Sequence, residues 1–208
     1  MRRNKEKTRE LILQSAKKEF LRCNYERASV RTIAEGAGIT AGALYKHFKT
    51  KEDIFLAIVM PVYQDMMRKM ETVSAEAWTC ISKDSIEDFE KASDVANDKM
   101  LNYLYEYFDE IQLMFNHSRG TAFENIRHDI VVREVEGGMM LIEMLKKKGY
   151  NVEECPERRM HLLASTALEP LFEIITHSYS YEETVEYKDI IKEALNFGWK
   201  FILKTENI

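Results

Sequence analysis

Glycine and proline are scarce in this chain, 8 and 3 among 208 residues. So few breakers leave little room for the frequent turns of a sandwich or barrel, and they favour long uninterrupted helices. At 45% hydrophobic and 31% charged content the chain is too apolar to be disordered. It is long enough for one sizeable core or two small ones.

The net charge of −5 conceals a polar division. Residues 1–52 carry 13 Lys and Arg against 6 Asp and Glu, a net +7, which leaves 17 against 29, a net −12, for the rest. The first quarter is basic and the remainder acidic, so the bulk value says little about either surface. The charged stretch at residues 1–7 is not followed by a signal-type apolar core, because Gln14 and Ser15 interrupt Leu11–Ala16. The longest apolar run, 54–62, contains Pro61 and is far short of a membrane span. The expectation is a cytoplasmic protein that does not enter a membrane. Cys23, Cys80 and Cys155 are odd in number and widely spaced, unlike a disulfide framework or a metal knuckle.

Apolar spacing predicts a first helix over 8–22, with Leu11, Ile12, Ala16 and Phe20 on one face and Asn24 closing it in a left-handed conformation. A second opens at Ser29 or Val30 and buries Ile33 and Ala34. Gly36-Ala37-Gly38-Ile39 forms a corner, and Thr40 caps a third run, 41–47. Thr50 caps a fourth, with Glu52 and Asp53 at its positive end, running toward Met70 and bent near Pro61. Further helices are predicted over 85–108, from a Thr121 cap to Lys148, over 157–179, and from 181 or 182 to about 204. Gly137-Gly138 marks a bend or a close approach, and Gly149 a helix end.

A basic three-helix unit with a tight glycine corner meets the needs of a helix-turn-helix: one short helix braces while the next enters a major groove about 12 Å wide. An ordinary αα-hairpin with a solvated basic surface has the same coarse pattern. The detail separates the two. The run from Ile33-Ala34 through Ala37-Gly38-Ile39, Leu44-Tyr45-x-x-Phe48 and Lys51-Glu52 resembles the N-terminal domain of TetR-family transcriptional regulators. The likeness extends upstream through Arg9-Glu10-Leu11-Ile12-Leu13, Ala16, Phe20, Tyr25 and Val30-Arg31-Thr32, over about residues 8–60. Asn24 stands where the family usually has Gly, a substitution the left-handed region tolerates.

The resemblance implies an all-α fold of about nine helices, with a DNA-binding domain over 1–50 and an effector-binding and dimerisation domain over 51–208. It implies phosphate contacts for Arg31, Thr32, Tyr45, His47 and Lys51. Thr40, Ala41 and Gly42 would approach the bases, with Lys46 as the one long donor on a recognition helix of small residues. Sequence preference would then lean on close backbone approach and DNA shape.

For the second domain, aromatic and sulfur side chains (Met66, Trp78, Tyr103, Tyr107, Phe115, Phe123, Phe172) are candidates to line an effector pocket, and equally to form a packed core. Glu169 and Glu173, one turn apart beside Phe172, would suit a cationic effector if buried. On the last helix Ile191, Ala194, Leu195, Gly198 and Ile202 make a stripe that suits a two-fold helical interface. No catalytic motif of the phosphate-loop, HExxH or GxSxG kind occurs. No cofactor is expected, and no His spacing suggests a metal. The expected protein is a homodimeric regulator, a repressor that leaves a palindromic double-stranded DNA operator when a small molecule binds. The alternative is a constitutive DNA-binding protein whose second domain takes a protein partner.

Overall fold

The computed structural model describes the backbone of residues 2–82 and 86–194, with side chains throughout except at 2–4, 73–74, 76–78, 80–82, 86–94 and 96. The fold is all-α, and the described residues contain no strand. Among the described residues the helices follow in order: α1 Arg2–Arg27, α2 Val30–Gly36, α3 Ala41–Leu44, α4 Lys51–Ser82, α5 Ile86–Glu106, α6 Phe108–Asn116, α7 Ile126–Lys147, α8 Glu157–His177 and α9 Tyr181–Glu186. Residues 188–194 are helical as well.

Several ends differ from the sequence reading for local reasons. Asn24 has the expected positive φ of 69°, but its ψ of 160° is extended. It kinks α1 without closing it, and the helix resumes to Arg27. Thr121 does not cap α7. Its Oγ1 donates to Ser118 O (2.7 Å) and accepts from Phe123 N–H (3.1 Å), so it closes a turn five residues before the helix starts. The run through Tyr107 is broken there (φ −121°, ψ 32°), which separates α5 from α6. The last predicted helix is likewise interrupted at Tyr187 (φ −95°, ψ 10°). Other signals hold. Gly149 (φ 85°) ends α7 with Tyr150 N–H donating to Leu145 O at 3.1 Å, and Ser180 with Glu183 forms a reciprocal capping box on α9.

The chain divides into two compact units. One consists of Met1–Met67 with Glu106–Asn125, the other of Arg68–Tyr105 with the chain from Ile126 onward. The boundary expected at residue 50 falls inside the first unit.

The first unit is built on fully buried Ile12, Ala16, Phe20, Ile33, Leu44, Ile54, Phe55 and Val59. Phe55 meets Phe20 and Tyr25 edge-on at 5.5 and 5.4 Å between ring centroids, and Phe123 is tilted against Phe55 (6.5 Å) and edge-on to Tyr63 (5.1 Å). Such pairs contribute roughly 0.5–1.5 kcal/mol each beyond their buried area. α6 is held to α1 by Lys17, whose ammonium lies 2.9 Å from Glu110 and 3.2 Å from Asp109.

In the second unit α7 packs on α8. The two helices come close at Gly138, since a Cβ there would sit 2.9 Å from Met160 Sδ and Cε. Close approach is therefore the part of the Gly137-Gly138 expectation that applies, and it applies to Gly138 alone, because a Cβ at Gly137 would meet nothing within 4 Å. At the other end of the unit the Tyr105 hydroxyl faces the carbonyls of Tyr179 (2.9 Å) and Ser180 (3.0 Å) and pairs with the buried Thr184 hydroxyl, tying α5 to the α8–α9 turn.

Candidate nucleic-acid interface

The bracing helix α2 is fixed from three sides. Ser29 Oγ caps it by accepting from Thr32 N–H (3.4 Å), and the Ser29 N–H in turn donates to Glu19 Oε1 (3.4 Å). Glu19 is buried. Burial alone would push its carboxyl up, but Arg22 at 3.0 Å, the Ser29 N–H and the Cys23 thiol outweigh that and hold it below its usual value. From α1, the Ser15 hydroxyl donates to Ile33 O at 2.8 Å, and a Cβ on Gly36 would stand 2.3 Å from that same Ser15 oxygen. Gly36 is required because α1 and α2 touch there.

The corner closes through Gly38 (φ 70°), with Gly38 N–H to Glu35 O and Ile39 N–H to Ala34 O, both 3.0 Å. Thr40 Oγ1 then accepts from Ala43 N–H at 3.2 Å, as its cap role predicts. The α-helical part ends at Leu44. Beyond it Lys46 N–H reaches Ala43 O (3.2 Å) and His47 N–H reaches Leu44 O (2.8 Å), a tighter three-residue winding than the run to 47 predicted from sequence. Leu44 and Phe48 are buried and pin the segment, and the Arg9 guanidinium lies 4.8 Å from the Phe48 ring centroid.

The opposite side faces outward. Thr40, Gly42, Tyr45 and Lys46 are exposed, while Ala41 and His47 are half-buried. A Cβ on Gly42 would meet nothing within 4 Å, and its φ is not in the left-handed region. Neither packing nor backbone geometry asks for glycine at this position, although glycine inside a helix costs about 1 kcal/mol relative to alanine. Arg31 and Thr32 are exposed on α2, and the Arg31 guanidinium is 3.1 Å from Glu35, a surface pair easily exchanged for another anion. His47 Nδ1 is buried without a hydrogen-bond partner. Lys49, which the sequence motif does not single out, is exposed on the same segment.

The Lys51 side chain is engaged within the chain. Its ammonium donates to the carbonyls of Tyr25 (2.7 Å), Glu26 (3.1 Å) and Ala28 (3.1 Å) and lies 4.5 Å from the Tyr25 ring centroid. It terminates α1 by neutralising the negative end of that helix. The α4 N-terminus is itself partly capped by its own side chains. Thr50 Oγ1 accepts from Asp53 N–H (3.0 Å), and Asp53 Oδ2 accepts from Lys49 and Thr50 N–H (3.0 and 2.9 Å).

The candidate effector-pocket residues are divided between the units. Met66 and Phe123 are buried in the first unit, which also holds Tyr107 and Phe115. Tyr103 and Phe172 are buried in the second, under Lys69 (5.1 Å) and Arg127 (5.3 Å) respectively. The Trp78 side chain lies outside the described residues. Glu169 and Glu173 are exposed, with Glu173 3.0 Å from His177. The carboxylate that burial does perturb is Glu134 on α7, pushed upward by desolvation. Of the dimer stripe, Ile191 is only 9% exposed within its own chain and Ala194 is half-buried, whereas Ile190 beside it is 65% exposed. Leu195, Gly198 and Ile202 lie outside the described residues. Among the described residues no helix is long and apolar enough to cross a membrane.

A braced two-helix corner presenting a capped, small-residue helix within a basic segment defines a helix-turn-helix DNA-binding protein. Residues 12–58 match the family described as bacterial regulatory proteins, tetR family. Residues 12–58 thus carry the N-terminal segment typical of that family. Among curated relatives it is 36% identical over 84 residues to the HTH-type transcriptional repressor AcnR of Corynebacterium efficiens, a match covering 40% of this chain and 43% of that protein. It is 30% identical over 132 residues, 62% of each protein, to the uncharacterized HTH-type transcriptional regulator YfiR of Bacillus subtilis. The chain thus spans less than half the length of the first of these relatives. Among solved structures it resembles SmeT, the repressor of the Stenotrophomonas maltophilia multidrug efflux pump SmeDEF. That likeness has a TM-score of 0.58 at 19% identity over 95% of this chain and 91% of that one. The fatty acid degradation regulator FadR of Bacillus halodurans gives a TM-score of 0.54 at 19% identity over 90% and 94%. Both likenesses concern the fold.

Proposed function

We propose that the chain is a homodimeric, ligand-responsive transcriptional repressor that binds a palindromic DNA operator through α2 and α3 and acts in the cytoplasm. The observation that carries this reading is Gly42, a helix-weakening residue with open space around it, on the exposed side of the Thr40-capped helix. A backbone without bulky side chains at Ala41 and Gly42 can come close to a groove floor, and Lys46 can reach a base edge or phosphate beside it. Arg31, Thr32, Tyr45 and the α4 N-terminus take phosphates. His47 belongs to the same set: with Nδ1 buried and unpartnered, Nε2 is the ring nitrogen left to reach a phosphate.

Two copies would set their recognition helices about 34–36 Å apart. The exposed apolar side chains Leu162, Val185, Tyr187 and Ile190 (66, 45, 41 and 65% exposed) suit burial against a second copy. Ligand response rests on analogy. SmeT has been solved in complex with triclosan, and α4 runs from the first unit into the second, so a ligand that shifts α4 would alter the separation of the recognition helices.

A footprinting titration on DNA upstream of the chain's own gene tests the reading. Protection of a two-fold symmetric site, with affinity falling steeply as salt rises, is expected from two basic units of net +7 each. Protection that is absent at every salt concentration, or that shows no symmetry, overturns it.

A further inference from the structure

His128 and His161 are 33 positions apart in sequence, yet α7 and α8 bring their rings together, with centroids 6.1 Å apart and planes inclined at 41°. Both are exposed. Each stands next to a residue that locks α7 to α8. Arg127, before His128, bonds the Thr176 hydroxyl, approaches Phe172 O at 3.5 Å and covers the Phe172 ring. Met160, before His161, is buried where Gly138 has no side chain. The two backbones are therefore held while the two imidazoles remain free to adjust. One turn along α8, Ser165 Oγ lies 3.4 Å from His161 Nδ1. In the tautomer whose Nδ1–H donates to that hydroxyl, Nε2 carries the lone pair, the usual arrangement behind a metal-bound histidine.

We propose that His128 and His161 form a two-imidazole site for a divalent transition metal of the zinc, nickel and copper class. A metal–nitrogen bond of about 2.0–2.1 Å places two ring centroids on one ion roughly 5–6 Å apart, depending on the angle between them. The observed spacing needs only a side-chain adjustment. Imidazole selects these borderline ions over magnesium or calcium, and copper binds most tightly in the series. No cluster of three or more His, Cys, Asp or Glu that could hold a metal occurs among the described residues, so water completes the coordination. The bound ion staples α7 to α8 inside the second unit, and because the unfolded chain does not hold the two rings together, binding stabilises the fold.

The test uses the full chain, freed of metal with EDTA and titrated with NiCl2 by calorimetry. One nickel per chain is expected. His128→Asn and His161→Asn should each weaken binding about tenfold or more, whereas His177→Asn, on the same helix as His161 but beside Glu173, should leave it unchanged. Both target residues are exposed, and circular dichroism in EDTA checks that the variants fold. Copper-loaded protein should show nitrogen splitting from two imidazoles by electron paramagnetic resonance, and nickel should raise the melting temperature of the parent but of neither variant. The proposal is overturned if either variant binds nickel as tightly as the parent, if the copper signal carries a single imidazole, or if nickel raises the sedimentation coefficient above that of the metal-free protein, as an ion bridging separate assemblies would.

Discussion

Lys51 Nζ lies 2.7 Å from the carbonyl oxygen of Tyr25 and at the same time 4.5 Å from the centroid of the Tyr25 ring. One residue at the start of α4 thereby holds both the backbone and the side chain of the residue that follows the α1 kink. The ammonium thus adds a polar tie between α1 and α4 to the ring contacts of Phe20 and Tyr25 with Phe55.

Replacing that ammonium should therefore act on folding more than on DNA. Lys51→Met is expected to lose about 2–3 kcal/mol of stability, the scale of hydrogen bonds to a charged group, read as a lower urea midpoint. The salt dependence of DNA binding should keep its slope. Lys46→Ala should do the reverse, leaving the midpoint alone and reducing the slope by about one unit per chain.

Gly36 and Gly42 should respond oppositely to the same change. At Gly42 a methyl group meets open space, so Gly42→Ala should stabilise the protein by about 0.5–1 kcal/mol while weakening operator binding in a gel-shift titration. At Gly36 the methyl would collide with Ser15 Oγ at 2.3 Å, and Gly36→Ala should destabilise by about 1–3 kcal/mol. Tighter DNA binding by Gly42→Ala would show that close backbone approach is not what glycine serves at that position.

Glu19 makes the first unit sensitive to acid. Its carboxyl is held below the ordinary 4.5 in the folded protein, so its contribution is present above the unfolded value and is lost as pH falls through the folded one. Glu19→Gln should cost about 1–3 kcal/mol near neutrality and should flatten the fall in melting temperature below pH 4.5. An unchanged acid limb in the variant would show that other carboxylates set it.

Glu134 should show the reverse slope. Desolvation raises its carboxyl, and no hydrogen bond or ion pair relieves it among the described residues. Its penalty is absent below the unfolded value and is imposed as pH rises through the folded one. Glu134→Gln should therefore melt higher than the parent at neutral pH, by an amount equivalent to roughly 1 kcal/mol, and the difference should vanish in acid.

The corner was readable because its signals are local. Gly36-Ala37-Gly38-Ile39 and the Thr40 cap act within a few residues, and the structure places Ile33 and Ala34 in the core where the apolar spacing put them. Lys51 was not readable in the same way, because the carbonyls it serves lie 23–26 positions upstream and nothing in its neighbourhood announces them. Nor was the break at Tyr107, since apolar spacing runs on through Tyr103 and Leu104 and only the tertiary packing of α6 against α1 divides the run. The same limit applies to the last stripe. An interruption at Tyr187 resets the helix phase, and Ile191 turns inward while Ile190 turns out.

The aromatic candidates show a different limit. Phe123 reads as one more large side chain available to a cavity, but a loop after α6 carries it into the ring cluster with Phe55 and Tyr63. Residue type gives the appetite for burial and not the address.

Residues 106–125 belong to the same compact unit as α1 to α3, through Lys17 with Glu110, through Tyr25 N–H to His117 O at 3.0 Å, and through Phe123 in the ring cluster. A transplant of DNA specificity between this protein and a relative therefore cannot be made with one crossover after the recognition segment. A chimera joined only near residue 67 would set a foreign α6 against these partners, so the graft calls for three junctions, bringing the distant segment along with the readers it supports.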